Sequence, residues 1–187
     1  MCHESVLKFG RENLSKEDVE GKKVLEVGSL NVNGSLREYV KLLHPASYTG
    51  VDIRQGPGVD MICNAEDLLS AFRENTFDLV ICTETLEHIR DWKKAVSNIK
   101  KVCKENGLLL ITARSFGFPV HDEPDDYWRF EMEDMIVIFC DFIILIVIKD
   151  SQAHGIFLKS LKPSGFKEFD WLNYQLFNIK ENKRIKQ

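Results

Sequence analysis

Hydrophobic and polar residues follow two different spacings along the chain, and each spacing predicts a different element. Seven short apolar runs have the length of buried strands, and they lie at residues 23–27, 47–53, 59–63, 77–82, 108–112, 142–148 and 155–161. Between most of them, apolar residues recur every three or four positions, which is typical of one face of a helix. The pattern therefore predicts a chain in which strands alternate with helices.

The helix that precedes the fifth strand has the clearest pattern. Its apolar positions are Trp92, Ala95, Val96, Ile99, Val102 and Cys103, and lysines lie on the opposite face. Asp91 suits the N-cap, because an aspartate side chain accepts a hydrogen bond from a free backbone N–H of the first turn. Gly107 is placed to end the helix. Further helices are predicted at residues 4–14, 35–43, 66–72 and 131–139.

The order of these elements indicates the fold class. Alternating strands and helices predict an α/β fold with a doubly wound, mostly parallel sheet of seven strands. Residues 149–154, between the sixth and seventh strands, are too few for a crossover helix, so the seventh strand should be antiparallel. The 187 residues suit a single domain, 1–187. Within it we expect a core at 22–163, the helix at 4–14 and an aromatic tail at 164–187.

Composition argues against several kinds of protein. A net charge of -4 and a pI near 5.8 give no general attraction to nucleic acid. The apolar run at 135–148 is shorter than the roughly 20 residues of a membrane span, and Asp141 interrupts it. The polar start of the chain, M-C-H-E, argues against a signal peptide. Scattered cysteines without a C-x-x-C pair predict reduced thiols and a cytoplasmic location. They are Cys2, Cys63, Cys82, Cys103 and Cys140.

Polar and small residues follow each of the first four predicted strands. In a doubly wound sheet, ligands bind at the carboxyl ends of the strands. Asp52, which ends the second strand, suits a ribose diol, because a carboxylate can accept two hydroxyl hydrogen bonds. Sites for NAD and for S-adenosylmethionine share that feature. The first loop, G-S-L-N-V-N-G, lacks the tight glycine-rich turn that a pyrophosphate needs, and the carboxylate of Glu26 lies just before it. A dinucleotide is therefore disfavoured.

The motifs V-L-E-V-G-S, V-D-I, N-A-E-D-L, F-D-L-V-I-C-T-E-T-L-E-H and G-L-L-L-I-T together resemble a class I, Rossmann-like S-adenosylmethionine-dependent methyltransferase. The resemblance covers residues 22–163 and points to a small, type-11-like subset. It implies S-adenosylmethionine as cofactor, methyl transfer as activity and the strand order 3-2-1-4-5-7-6.

The resemblance also implies which residues meet the methionine and ribose parts of the cofactor. The first loop would lie against the methionine part, which corresponds to Glu26, Gly28 and Ser29. The acid after the second strand would hold the ribose hydroxyls, which corresponds to Asp52. Ile53 would then lie against the adenine.

Two further loops complete the implied cofactor site. The loop after the third strand would meet the adenine edge with Asn64, Ala65 and Glu66. Asn64 stands where Asp is more usual, but its amide can still hydrogen-bond the adenine amino group. Thr83 and Glu84, after the fourth strand, would line the cofactor near its methyl group.

Residues 121–130, H-D-E-P-D-D-Y-W-R-F, resemble the H-x-x-P-x-D-Y-W-R-F loop that follows the fifth strand in a subset of small methyltransferases. We expect this loop to form the acceptor side of the site. His121 is a candidate base, Tyr127 a candidate wall and Arg129 a fork for a carboxylate or phosphate. His88 is a third catalytic candidate. The alternative is a structural loop whose aromatic residues cover the end of the sheet.

These features predict S-adenosylmethionine-dependent methyl transfer to a small-molecule acceptor. No metal site is predicted, because the histidines and cysteines lack ligand spacing. One alternative is a non-catalytic cofactor-binding subunit that stabilises a partner, since little sequence is left for a lid over the acceptor. The other is a nucleotide-dependent oxidoreductase on a similar sheet. The aromatic tail could pack on the core or on a partner, so a homodimer or a partner subunit stays open.

Overall fold

The fold is known from a computed structural model that describes residues 3–121 and 125–186. Its ten strands are β1 (Lys23–Val27), β2 (Ser47–Asp52), β3 (Met61–Ile62), β4 (Phe77–Thr83), β5 (Cys103–Arg114), β6 (Trp128–Arg129), β7 (Ile143–Lys149), β8 (Gly155–Leu161), β9 (Leu176–Asn178) and β10 (Lys183–Ile185). Its α-helices are α1 (Glu4–Asn13), α2 (Lys16–Val19), α3 (Arg37–Leu42), α4 (Leu68–Ala71), α5 (Trp92–Val102) and α6 (Met132–Ile138). Short 3-10 turns lie at Ala65–Asp67 and Leu86–His88.

Seven of these strands form the central sheet, in the order β3-β2-β1-β4-β5-β8-β7. The first five strands of that order are parallel, and β8 is antiparallel to both of its neighbours. The predicted sixth and seventh strands correspond to β7 and β8. The predicted doubly wound α/β fold and its order 3-2-1-4-5-7-6 are therefore confirmed.

The central sheet is buried on both faces, which explains the nearly continuous apolar runs of its inner strands. In β4, Leu79 and Ile81 pack on the face covered by α1, α2 and α3, whereas Val80 and Cys82 pack on the opposite face with α5 and α6. The alternation follows from the pleat, because successive side chains of a strand point to opposite faces.

Helix α5 confirms the clearest sequence pattern at its start and corrects it at its end. The Asp91 side chain accepts a hydrogen bond from the Lys94 N–H, as an N-cap should. The helix ends at Val102, and β5 begins at Cys103, so Gly107 does not end it. A β-carbon at Gly107 would lie 2.8 Å from the Lys104 carbonyl oxygen, so glycine there permits a close backbone approach.

The C-terminal tail folds back onto its own chain. Strand β9 pairs antiparallel with β10 and with β6, which places the tail beside the loop that contains Trp128 and Arg129. Trp171 is buried in the core, with its ring centroid 5.3 Å from that of Trp92 and 4.4 Å from the Lys100 ammonium. Of the two expectations for the tail, packing on the core is the one observed.

The cysteines and the helices bear on two other expectations, that the thiols are reduced and that no helix spans a membrane. Cys63, Cys82, Cys103 and Cys140 are free thiols, and Cys2 lies outside the described residues. Within the described parts of the chain, every helix is too short or too polar to cross a bilayer.

Candidate active site

The loops that follow β1, β2, β3 and β4 meet at one edge of the sheet and enclose a cleft, called here the main cleft. Its empty volume is about 690 Å³, including the part that is open to solvent. From the predicted set, its walls contain Gly28, Asp52, Ile53, Asn64, Ala65, Glu84 and His88. A small recess beside it is lined by Glu26, Gly28, Ser29, Thr83 and Glu84. The structure therefore brings together the predicted cofactor residues apart from Glu66.

Gly28 makes the turn that opens the first loop. Its φ of 76° is in the left-handed region, which favours glycine. A β-carbon there would also lie 2.6 Å from Cγ2 of Thr85. The N–H groups of Gly28 and Ser29 both donate to the Val51 carbonyl, at 2.9 and 3.0 Å. Backbone hydrogen bonds and the Thr85 side chain therefore both fix this turn.

The Asp52 carboxylate is held in place by two backbone N–H groups. Its Oδ2 accepts a hydrogen bond from Leu30 at 3.2 Å, and its Oδ1 accepts one from Arg54 at 3.0 Å. Each carboxylate oxygen has further acceptor capacity. The carboxylate can therefore accept two more hydrogen bonds from a ligand in the main cleft.

Glu26 places an acid in the wall of the small recess. It is almost fully buried, and its carboxylate accepts hydrogen bonds from the Tyr48 hydroxyl at 2.8 Å and the Ser35 hydroxyl at 3.3 Å. Burial raises the pKa of Glu26 to about 7, although these hydrogen bonds and the nearby Arg37 act in the opposite direction. A cation in the recess would favour the ionised form, so the site suits a ligand ammonium group.

Ser29 lines the same recess, and its hydroxyl is buried near Gly50 of β2. Among the residues that the structure describes, its Oγ has no hydrogen-bond partner. Buried polar atoms are normally paired, and an unpaired one next to a recess is accounted for by a polar ligand group. Ser29 and Glu26 together therefore fit the amino-acid end of S-adenosylmethionine.

The loop after β3 divides its predicted residues between two roles. Ala65 and Asn64 line the main cleft, and the Asn64 Oδ1 accepts a hydrogen bond from the Glu66 N–H at 3.0 Å. Glu66 points elsewhere, because its Oε1 accepts a hydrogen bond from the Asp91 N–H at the start of α5. Glu66 therefore supports the helix start, away from the wall of the cleft.

Glu84 is a buried acid in a strained backbone conformation. Its φ is 51°, which is uncommon for a residue other than glycine, and its N–H donates to the Thr112 carbonyl at 3.1 Å. The carboxylate accepts a hydrogen bond from the Thr112 hydroxyl and forms an ion pair with Arg114. Burial and the neighbouring Glu87 raise the pKa of Glu84 to about 7. Strain of this kind concentrates at functional sites.

Two of the three catalytic candidates lie side by side. His88 lines the main cleft, and its ring centroid is 4.8 Å from that of His121. His121 lines a separate outer recess, together with His3, Glu4, Asn33, Arg114, Phe118 and Pro119. Burial lowers the pKa of His88, so its imidazole is neutral at pH 7. The two histidines therefore lie between the main cleft and the outer recess.

Tyr127, the third catalytic candidate, lines neither the main cleft nor the outer recess. Its N–H donates to the Glu87 carbonyl at 2.9 Å, and the Lys180 ammonium lies 4.3 Å from its ring centroid. Nearby, the Trp128 Nε1 donates to the Ile89 carbonyl. These contacts join the loop to the segment after β4 and to the tail, as a structural loop would.

Arg129 is already paired within its own loop, so the expectation of a free fork for the acceptor is wrong. It is buried, and its Nη2 donates to Asp126 Oδ2 at 2.7 Å. Burial opposes ionisation of Asp126, but hydrogen bonds from Arg129 and His121 outweigh it and hold the pKa of that carboxyl well below its usual value. Residues 122–124 of the motif, including Pro124, lie outside the described residues.

The interpretation of the sequence missed two residues of the site. Thr85 lines the main cleft and restricts position 28. Glu87 is fully buried next to His88. Both belong to the T-E-T-L-E-H run after β4, which marked the loop as functional. That run gave no sign of which of its polar side chains turn inward.

A comparison with known families identifies the part of the chain that builds this site. Residues 25–111 match the family model described as "Methyltransferase domain", of type 11. They run from β1 into β5 and include all the loops that line the main cleft. The match is to 87 of the 187 residues of the chain, 25 to 111 inclusive. The predicted resemblance to a class I S-adenosylmethionine-dependent methyltransferase is therefore confirmed over residues 25–111.

Curated relatives of the methyltransferase domain include enzymes with different acceptors. The chain is 31% identical over 107 residues to phthiotriol/phenolphthiotriol dimycocerosates methyltransferase 1 of Mycobacterium ulcerans, which is 51% of this chain and 38% of that protein. It is also 31% identical over 105 residues to the ubiquinone biosynthesis O-methyltransferase of Idiomarina loihiensis, which is 49% of this chain and 42% of that protein. The chain thus spans less than half the length of either relative.

Solved structures share the fold of the methyltransferase domain at low sequence identity. The 1,6-didemethyltoxoflavin-N1-methyltransferase of Burkholderia thailandensis, bound to 1,6-didemethyltoxoflavin and S-adenosylhomocysteine, has a TM-score of 0.68 at 15% identity and covers 86% of this chain and 80% of its own. A methyltransferase from a complex with the Haloferax volcanii Trm112 activator has a TM-score of 0.65 at 14% identity, over 86% of this chain and 90% of its own.

Proposed function

We propose that this chain transfers the methyl group of S-adenosylmethionine to a small-molecule acceptor. The observation that carries the proposal is the main cleft, where the Asp52 carboxylate is held by two backbone N–H groups beside the small recess that contains Glu26 and Ser29. An ammonium group suits Glu26, and a ribose diol suits Asp52. Ile53 and Ala65 supply apolar contact for a base.

The bound cofactor supplies a methyl group that its sulfonium already activates. The residues of the chain therefore have to orient the acceptor and exclude water rather than create a reactive group. An acceptor that loses a proton as it attacks also needs a base. His88 can take that role while its Nε2 is free, because it lines the main cleft and its neutral imidazole can accept a proton.

We infer that the acceptor enters through the outer recess. That recess has an empty volume of about 850 Å³, including the part open to solvent, and Phe118 and Pro119 form part of its wall. His121 lines it and adjoins His88 in the main cleft. The volume suits a small molecule with an apolar or aromatic surface. The two relatives are named for different acceptors.

The two other functions weighed for the sequence make different predictions. The comparisons give no support to the oxidoreductase. The other alternative is a non-catalytic subunit that binds the cofactor and stabilises a partner; the similar Haloferax volcanii methyltransferase is in a complex with an activator. We also propose a cytoplasmic location. The cysteines that the structure describes are free thiols, and thiols stay reduced in that compartment.

Calorimetric titration with S-adenosylhomocysteine and with NAD tests the ligand class. We expect saturable binding of S-adenosylhomocysteine by wild type and none of NAD. Transfer of a labelled methyl group to a fractionated metabolite pool then tests catalysis. If the chain binds S-adenosylhomocysteine but transfers a methyl group only after a partner protein is added, the result would favour the non-catalytic subunit. Binding of NAD alone would overturn the proposal.

A further inference from the structure

Three side chains of types that can bind metal ions meet between the main cleft and the outer recess. One ligand atom from each of Glu87, His88 and His121 lies within 4.8 Å of the other two. Glu87 and His88 come from the turn after β4, whereas His121 comes from the segment after β5. The trio therefore depends on the packing of two loops that are far apart in the sequence.

The Glu87 carboxylate is the most unusual member of the trio. It is fully buried, and neither of its oxygens has a hydrogen-bond partner within the described residues. Taking a carboxylate out of water without any partner is costly, because nothing replaces the lost hydration. Two imidazoles beside it turn this unpaired acid into part of a ligand set.

Each histidine of the trio places its Nδ1 next to an oxygen atom of the loop after β5. The Nδ1 of His88 contacts the Asp125 carbonyl oxygen, and the Nδ1 of His121 lies 3.0 Å from Asp126 Oδ2. Asp126 is itself fixed by Arg129. A metal-bound histidine usually donates its other ring N–H to a carbonyl or a carboxylate, which sets its tautomer and orientation. Binding through Nε2 would keep both of these contacts.

We propose that Glu87, His88 and His121 bind a divalent transition-metal ion, with Zn²⁺ as the preferred ion. Two imidazole nitrogens and one carboxylate are a common ligand set for zinc, with a further position left for water or substrate. Mg²⁺ prefers oxygen ligands throughout and is therefore disfavoured. Metal binding here is a property of the three side chains and does not rest on the proposed methyl transfer.

The geometry needs only local adjustment. Bond lengths near 2.0–2.1 Å in a tetrahedral site put ligand atoms about 3.3 Å apart. The ligand atoms of the trio lie within 4.8 Å of one another, so the side chains must close by at most about 1.5 Å. Rotations of the Glu87 and His121 side chains can supply that movement. An ion there would also adjoin the outer recess, which His121 lines.

The test starts with the full chain after treatment with a chelator. Titration with Zn²⁺ by calorimetry should give one site per chain, and Mg²⁺ at the same concentrations should give none. Co²⁺ should produce the visible absorption bands of a four- or five-coordinate site. Zn²⁺ should also raise the melting temperature, because it binds the folded state. Wild type without these responses would overturn the proposal.

Three substitutions locate the ion. Glu87→Gln keeps the volume of the side chain, and His121→Ala removes the ligand from the other loop. Each should weaken Zn²⁺ binding by roughly 100-fold or more, since even supporting contacts are worth roughly 10- to 100-fold. His154→Ala, at an exposed histidine outside the trio, should bind like wild type. Circular dichroism checks that each variant folds.

Zinc binding at a surface thiol must be distinguished from zinc binding at Glu87, His88 and His121. Cys140 is exposed and is a free thiol, so it could capture the ion. Binding that persists in both Glu87→Gln and His121→Ala but disappears in Cys140→Ser would overturn the proposal. Loss of binding in Glu87→Gln, with Cys140→Ser unchanged, would support it even if His121→Ala did not fold.

Discussion

The Thr85 side chain occupies the space into which any side chain at position 28 would project: a β-carbon on Gly28 would lie 2.6 Å from its Cγ2. The constraint adds to the left-handed φ of 76° at Gly28. Thr85 is also a wall residue of the main cleft, and its hydroxyl donates to the Thr83 carbonyl at 2.9 Å. A change at position 28 should therefore disturb the cofactor site directly.

Gly28→Ala should lower the affinity for S-adenosylhomocysteine by roughly tenfold or more, because relief of the contact must move the turn or Thr85. It should also lower stability by about 1–3 kcal/mol through overpacking, beyond the cost of the left-handed backbone. Gly21→Ala is the matched control, because Gly21 has a φ of 68° and nothing within 4 Å of the added carbon. Calorimetry and urea unfolding measure both effects. Wild-type affinity in Gly28→Ala would remove this turn from the site.

Asp52→Ala should remove two charge-assisted hydrogen bonds to the ribose. The expected loss is about 2–4 kcal/mol of binding free energy, or about 30- to 1000-fold in the dissociation constant for S-adenosylhomocysteine. Asp67→Ala, at an exposed acid of the next loop, controls for the loss of a negative charge. If Asp52→Ala binds within about threefold of wild type, which is under 1 kcal/mol, the assignment of the ribose site is wrong.

Glu26 should make the stability of the free protein depend on pH. Burial raises its pKa from 4.5 to about 7, so between these values the folded state holds a proton that the unfolded state has released. The contribution of Glu26 to stability should therefore be greatest below pH 4.5 and should fall as pH rises through about 7, by roughly 3 kcal/mol. Glu26→Gln replaces the titrating carboxyl group with an amide that does not titrate. Urea unfolding of both proteins across this range should show wild type losing stability relative to the variant.

Glu38→Gln, at an exposed acid on α3, controls for the loss of a surface carboxylate. A constant difference between wild type and Glu26→Gln across the range would contradict the assignment of the raised pKa. The same group should couple to the ligand, because an ammonium beside Glu26 favours its ionised form. Binding of S-adenosylhomocysteine at pH 6 should therefore release protons, as measured by calorimetry in buffers with different ionisation enthalpies.

Asp126→Asn should destabilise the protein by about 3–5 kcal/mol, because it leaves the buried Arg129 guanidinium without its carboxylate. Asp125→Asn is the neighbouring control, since Asp125 pairs with Lys180 on an exposed surface and should contribute little. Chemical denaturation measures both. A small effect of Asp126→Asn, with cofactor affinity or methyl transfer lost instead, would show that the loop acts on a ligand rather than on the fold.

The sequence alone was sufficient for the elements whose patterns are local. Strands Lys23–Val27 and Gly155–Leu161 have the predicted bounds, and Asp91 caps α5 as predicted. Periodicity reports which side chains one element buries, so it is readable without knowing what covers them. The family resemblance added the strand order and indicated which loops meet, because parallel strands end at one edge of the sheet.

The tertiary structure alone decided how individual side chains are used. The sequence predicted a free guanidinium at Arg129, but in the structure this group donates hydrogen bonds to the Asp126 carboxylate. Glu66 belongs to a site loop, yet it supports the start of α5. His121 comes beside His88 because a loop after β5 folds over the turn after β4. Such contacts join distant parts of the chain. Their partners are chosen by loop packing and by the need to pair buried polar groups, which leave no period in the sequence.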